Sequence, residues 1–352
     1  MDAALMLSVI ESEMLANLVT LLVSGGKNPD DAIWQLEKLQ QLGLLRSMNI
    51  KTVTEGRAKL LKAARAEIEK EALKRANMVD DVTAGAGKKL SEVMAPEATP
   101  YITAIVDKWE KAVANKLDKA FAPMIEKAGG IYTDTIYKAV AKHQMGVSGR
   151  TAIAEACTEW SKQGLTALVD SAGREWTPEA YAQMVIRTNG TMCATETQFS
   201  RMEELGEDLV EISSHLGARP KCEPYQGKIY SLSGTSKNYP ALSTTSYGVL
   251  DGLFGCNCRH TMYPYFPGTE KTYQPQDKKE NAESYKLSQQ QRSIERDIRQ
   301  SGRNYDLMKK TKDPKMIELA YKDLQDKESA MKSFIAETGR TRRYEREEVY
   351  GS

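Results

Sequence analysis

Between Leu5 and Leu22 apolar residues recur every three or four positions: Leu5, Met6, Val9, Ile10, Met14, Leu15, Leu18, Leu21 and Leu22. That period stacks side chains on one face of an α-helix. The chain therefore opens with an amphipathic helix, ended at Gly25-Gly26, where glycine takes the left-handed cap conformation. Asn28-Pro29-Asp30-Asp31 supplies an N-cap, a proline suited to the first helical position and acidic residues at the positive end of the dipole, which predicts a second helix. Thr52 and Glu55 have capping-box spacing and predict a third, rich in Ala, Leu, Lys, Arg and Glu, running to about Asn77. Ala84-Gly85-Ala86-Gly87, the prolines Pro96 and Pro100, and Gly129-Gly130 punctuate the helical pattern. A further amphipathic helix is expected over 101–127, with Ile102, Ile105, Val106, Trp109, Val113 and Leu117 as its buried stripe.

The pattern changes after Gly173. Thr177 and Pro178 form an N-cap and first-turn pair, predicting a helix past Arg187 to Glu204 with a break at Asn189-Gly190. Leu209-Val210-Glu211-Ile212-Ser213 and Lys228-Ile229-Tyr230-Ser231-Leu232 alternate apolar with polar, so two short antiparallel strands are expected. Glycine, proline and tyrosine crowd the stretch 233–267, which reads as a long loop held by specific contacts. Helical periodicity returns after Pro275. It predicts a helix ending near Arg303, a turn at Ser301-Gly302 and a second helix over 314–337, paired along Ile294, Ile298, Leu319, Leu324 and Phe334. The expected fold is α+β and predominantly helical: a helical N-terminal region (1–173), a small antiparallel β unit with long loops (174–275) and a C-terminal helical hairpin or arm (276–352).

Composition narrows the function. Hydrophobic residues make up 41% of the 352, enough for a buried core. Lys plus Arg number 49 against Asp plus Glu 48, a formal charge of +1, so there is no global attraction to nucleic acid or anionic lipid. The apolar run 15–23 falls short of the roughly 20 residues a membrane span needs, and Met1-Asp2-Ala3-Ala4 is acidic where a secretory signal is basic. Synthesis in the cytoplasm with no membrane partner is expected. Local basic groups are the exception: 51–75 holds eight basic and four acidic residues, including Lys59, Lys62 and Arg65. With Arg340, Arg342 and Arg343 these are candidate contacts for phosphate or a partner, although a solvated face laced with ion pairs is the plainer reading.

Reactive residue types concentrate between His215 and His260. The five cysteines, an odd number, point to reduced thiols or one metal site. Cys222, Cys256, Cys258 and His260 are the zinc-type ligands, but one residue separates Cys256 from Cys258, and Cys222-Glu223-Pro224-Tyr225 lacks a second thiol. The favoured reading is a hydrogen-bonded polar core made by His215, Arg219, Gln226, Gly227, Asn257, Cys258, Arg259 and His260, with Cys258 acting as a small hydrophobe. A nucleophilic Cys258 has no recognisable oxyanion hole. Dinucleotide, Walker, paired-histidine and nucleophile-elbow motifs are missing from the sequence, so no catalytic residues and no cofactor beyond the zinc reading are assigned.

These residues resemble a known family. His215-Leu216-Gly217-Ala218-Arg219-Pro220, Gln226-Gly227-Lys228-Ile229-Tyr230, Tyr247-Gly248 and Gly255-Cys256-Asn257-Cys258-Arg259-His260, followed by Tyr263-Pro264 and Pro267-Gly268, resemble the phage minor capsid protein 2 family, related to the phage Mu protein F-like head morphogenesis proteins. The resemblance implies a structural protein of the phage head, made in the host cytoplasm and acting at the portal or inner capsid in head assembly, genome packaging or ejection. Its implied partners are portal and capsid proteins, with packaged DNA and self-association as further candidates. In some relatives a Cys-x-x-Cys stands where this chain has Cys222-Glu223-Pro224-Tyr225, so Tyr225 departs from a metal-knuckle pattern. The competing reading is a metal-dependent enzyme, a nuclease or delivered toxin, using the His215 to His260 cluster.

Overall fold

A computed structural model of the chain describes residues 3–25, 29, 32–90, 93–249 and 251–349. The expected cap residues Asn28, Asp30 and Asp31, and Gly26 before them, lie outside the described residues. The helices are α1 (Ala3–Val23), α2 (Ala32–Gln40), α3 (Leu42–Gly85), α4 (Pro100–Gln144), α5 (Gly149–Ser161), α6 (Pro178–Glu204), α7 (Lys278–Thr311) and α8 (Pro314–Thr338). The strands are β1 (Leu168–Val169), β2 (Glu175–Trp176), β3 (Leu209–Ile212), β4 (Ile229–Ser231) and β5 (Met262–Pro264). The fold is a predominantly helical α+β structure.

Several expected breaks are helix interiors. Thr52 lies within α3, whose start is set at Gln41: the Leu45 amide donates to the Gln41 carbonyl at 2.9 Å. Gly129-Gly130 is continuous helix in α4, where buried Ala128, Ile131 and Tyr132 outweigh the cost of about 1 kcal/mol per interior glycine. Asn189-Gly190 does not break α6, and the Asn189 side chain, through Nδ2, turns back onto the same helix to donate to the Val185 carbonyl at 2.6 Å. Ser301-Gly302 does not turn the chain either. A Cβ on Gly302 would lie 2.7 Å from Val349 Cγ2, so this glycine permits a close approach, and the turn falls at Lys312, with φ of 57°. The expected seam of the last two helices is only partly right. Ile298 is buried, but Leu319 is exposed, and α8 turns Met316, Ala320 and Met331 inward.

Contacts group the chain into two units, each assembled from separated stretches: 1–60, 116–182 and 290–352 form one, and 61–115 with 183–289 form the other. The dividing points fall inside α3, α4, α6 and α7, whereas the compositional boundaries at 173/174 and 275/276 fall in connecting segments.

In the first unit α1 is a core helix. Its stretch Leu5–Val23, 19 residues with mean hydropathy 1.6, is long and apolar enough to cross a membrane, which corrects the shorter span read from the sequence. Leu7, Met14, Leu15, Leu18 and Leu22 are nevertheless buried against the rest of the unit. Glu11 is 0% exposed and pairs with Arg303 at 3.2 Å, while its Oε1 accepts from the Leu165 amide at 2.7 Å. Gly164 makes room for this pair, since a Cβ there would collide with the side chains of Arg303 and Glu11. Buried Lys38 of α2 caps the C-terminus of α1, donating to the carbonyls of Leu21 (2.5 Å) and Ser24 (2.8 Å).

The second unit holds a three-stranded sheet of order β4-β3-β5, antiparallel throughout. β3 and β4 pair as expected, Val210 opposite Tyr230, and the sequence reading missed β5, which places Pro264 opposite Val210. Proline is tolerated there because β5 is an edge strand. Val210, Ile212, Tyr230 and Met262 pack with Val79 of α3, Met202 of α6 and the loop residues Leu242, Leu253 and Phe254. Arg201, 1% exposed, is clamped by Asp80 (2.6 and 2.5 Å) and Glu204 (2.7 Å), fixing α6 to α3.

Candidate functional site

The three strands set the positions of the residues between His215 and His260. β3 ends at Ile212, and Ser213 prolongs its pairing: its amide donates to the Thr261 carbonyl at 2.7 Å, and its hydroxyl accepts from the Thr261 amide at 2.8 Å. This carries His260 to the same end of the sheet as His215. The two imidazoles stack, ring centroids 4.5 Å apart and planes 28° from parallel. Gln226 locks the preceding turn, since its buried side-chain oxygen accepts from the His215 amide at 2.7 Å. Gly227, at φ 62°, donates to the Ile212 carbonyl; a Cβ there would come within 2.8 Å of the Gln274–Pro275 backbone.

Cys258 follows a tight turn. Its amide donates to the Gly255 carbonyl at 3.0 Å, and Asn257 at the tip has φ of 57°. Asparagine is among the few side chains that adopt this left-handed conformation readily. The turn directs Cys258 inward, 4.0 Å from the sulfur of Cys222, while Cys258 Sγ lies 3.4 Å from His260 Nδ1. Cys222, Cys258 and His260 are all buried, and one ligand atom from each lies within 4.8 Å of the others. They form the group able to hold a metal among the described residues.

The electrostatics of the thiol pair are asymmetric. The hydrogen bond with Cys222 and contact with His260 hold the Cys258 thiol well below its usual range, whereas Cys222 is pushed up because its neighbour takes the negative charge. Burial lowers His215, favouring the neutral ring. His215 Nε2, His260 Nε2 and Gln226 Nε2 are buried with no hydrogen-bond partner.

The sequence-derived set divides accordingly. Gln226, Gly227, Cys258 and His260 are buried with half-buried His215 beside them, whereas Asn257 and Arg259 are exposed and stand outside any buried polar core. Arg219 is half-buried and donates to the Gly252 carbonyl at 3.4 Å. Cys256 is not part of the ligand group, and its sulfur accepts from the Asn257 side-chain amide at 3.6 Å. Among the basic candidates, Lys59 and Lys62 are exposed; Arg65 pairs with Asp107 (2.8 Å) and Glu110. Arg340 donates to Gln291 at 2.8 Å, Arg342 is paired with Glu347 at 2.6 Å, and Arg343 is exposed. Sequence reasoning missed Glu211, whose carboxylate accepts from the amides of Thr272 (2.9 Å) and Tyr273 (2.7 Å), and Asn281, which bonds both backbone groups of Ala218. A carboxylate in the middle of an otherwise apolar β3 was the available signal for Glu211.

Comparison with known proteins places this arrangement. The family model described as phage minor capsid protein 2 matches residues 3–336. The chain belongs to that family. A relative described as a structural protein of Lactococcus phage LL-H is 25% identical over 333 residues, covering 91% of this chain and 89% of the relative. No solved structure matches. Family membership gives the chain a structural role in the virion, in contact with other virion components.

Proposed function

We propose that the protein is a non-catalytic head component, made in the host cytoplasm, that docks to portal or capsid protein and serves head assembly, genome packaging or ejection. The observation that carries the reading is the family match running nearly end to end, so that helices and sheet unit together belong to one virion protein type. The chemistry of the sheet unit supports it. Cys222, Cys258 and His260 are 1%, 4% and 2% exposed, which leaves a substrate no route to the reactive atoms.

The surface supports protein docking. α2 turns Trp34 and Lys38 inward, yet Ile33 and Leu36 on its other side are each 57% exposed. Leu44 and Ile50, early in α3, are also exposed. Apolar side chains displayed while a lysine is buried fit a helix that awaits a protein partner. The basic residues of 51–75 fit phosphate less well, since Arg57 pairs with Asp118, Arg65 with Asp107 and Arg75 with Glu71.

The test is cross-linking mass spectrometry on washed virions. Cross-links from α2 and the start of α3 to portal or capsid subunits are expected. A protein missing from washed particles, or cross-linked only to itself, would refute the assignment.

A further inference from the structure

We infer that the sheet unit is a structural zinc site, with Cys222, Cys258 and His260 as three ligands and with His215, whose ring stacks on that of His260 at 4.5 Å, placed to swing in as the fourth. The distances fit a tetrahedral ion. With zinc–sulfur bonds of about 2.3 Å and zinc–nitrogen bonds of about 2.0–2.1 Å, two thiolates on one zinc stand roughly 3.8 Å apart, and a thiolate and an imidazole nitrogen roughly 3.5 Å. The observed separations are 4.0 Å for Cys222 Sγ to Cys258 Sγ and 3.4 Å for Cys258 Sγ to His260 Nδ1. The thiols lie at ligand spacing and are not joined in a disulfide.

The unpartnered polar atoms point the same way. Buried nitrogens are costly without a partner, yet His215 Nε2 has none. A metal would take the lone pair of that nitrogen and, on the other ring, that of His260 Nδ1, which already faces the Cys258 sulfur. It would also give neighbouring imidazoles a common purpose beyond stacking. Cys256 is set aside as a ligand: it is half-exposed, and its sulfur already accepts from the Asn257 side chain at 3.6 Å.

The position in the fold gives the site a structural task. Its ligands flank the stretch 232–257, whose described residues contain one short 3-10 turn, Leu242–Thr244, and little other regular structure to hold it. Cys222 and His215 precede this stretch, and Cys258 and His260 follow it. A metal bridging them would close the loop and fix β5 beside β3, as structural zinc does in domains with too little core. With all four positions filled by protein, no open coordination site would remain for catalysis.

The experiment uses the full-length chain, purified without a histidine tag or chelator, with zinc measured by elemental mass spectrometry. Stoichiometric zinc is expected, as are the visible bands of a tetrahedral thiolate centre after cobalt exchange. Cys258→Ser and Cys222→Ser should abolish those bands, Cys256→Ser should leave them intact, and His215→Ala should weaken zinc binding about 10-fold or more. Because ligand variants can fail to fold, the unmodified chain is also titrated with a chelator, and loss of zinc should lower its melting temperature. Zinc-free wild-type protein, a Cys222–Cys258 disulfide in its place, or zinc content unaffected by Cys258→Ser would each overturn the inference.

Discussion

Gly227 is the residue whose replacement the structure tolerates least. Its left-handed φ of 62° disfavours any side chain, and the backbone of Gln274 and Pro275 occupies the space a Cβ would need. Gly227→Ala is expected to destabilise the chain by about 1–3 kcal/mol, read from denaturant unfolding. Glu11 presents a different problem, a carboxyl group buried beside one cation. Burial raises its carboxyl above the usual range and Arg303 opposes that shift. Glu11→Ala strands the Arg303 charge and is expected to cost about 3–5 kcal/mol, whereas replacing both residues by methionine should recover most of the loss. Asp170 supplies a pH test. The Trp176 indole and the Arg174 amide hold its carboxyl at about 2, against an ordinary 3.8. A depressed value means that its contribution is present above about pH 4 and lost as pH falls through about 2. The stability difference between wild type and Asp170→Asn should therefore shrink between pH 4 and pH 2.

At the scale of elements, the most exposed dependence is that of α1 on α2. Lys38 donates to both the Leu21 and the Ser24 carbonyl, and Lys38→Met should destabilise the protein by about 1–3 kcal/mol with little change in helix content by circular dichroism. Elements were legible in the sequence where local chemistry defined them. Thr177-Pro178 marks the start of α6, and the alternation around Val210 and Tyr230 marks two strands. Glycine misled where it serves packing, as at Gly302 against Val349, because spacing alone does not separate a turn glycine from one that lets two segments touch. β5 escaped because three residues ending in proline carry no alternation of their own; its partner β3 defines it. In the candidate site, residue types and the stretch were legible. Which cysteine faces inward was not, since the left-handed turn at Asn257 decides it. The Glu11–Arg303 and Asp80–Arg201 pairs join residues far apart in the chain, beyond the reach of any local pattern.

For the whole molecule, the apolar side of α2 separates assembly from stability. Ile33 and Leu36 are exposed, so Ile33→Lys with Leu36→Lys should leave the melting temperature of the isolated chain unchanged within error. The same double variant, supplied to a phage lacking the wild-type gene, should be depleted from washed particles on a stained gel. Retention at wild-type amounts would move the docking surface elsewhere. The burial of the thiols has a consequence for the particle after release. Cys157, Cys193, Cys222 and Cys258 are enclosed and Cys256 alone is partly accessible, so air and peroxide outside a lysed cell would meet a single thiol at a turn tip. An aged phage stock should carry thiol oxidation in this protein at Cys256 first, leaving the enclosed cysteines chemically as they were on the day of assembly.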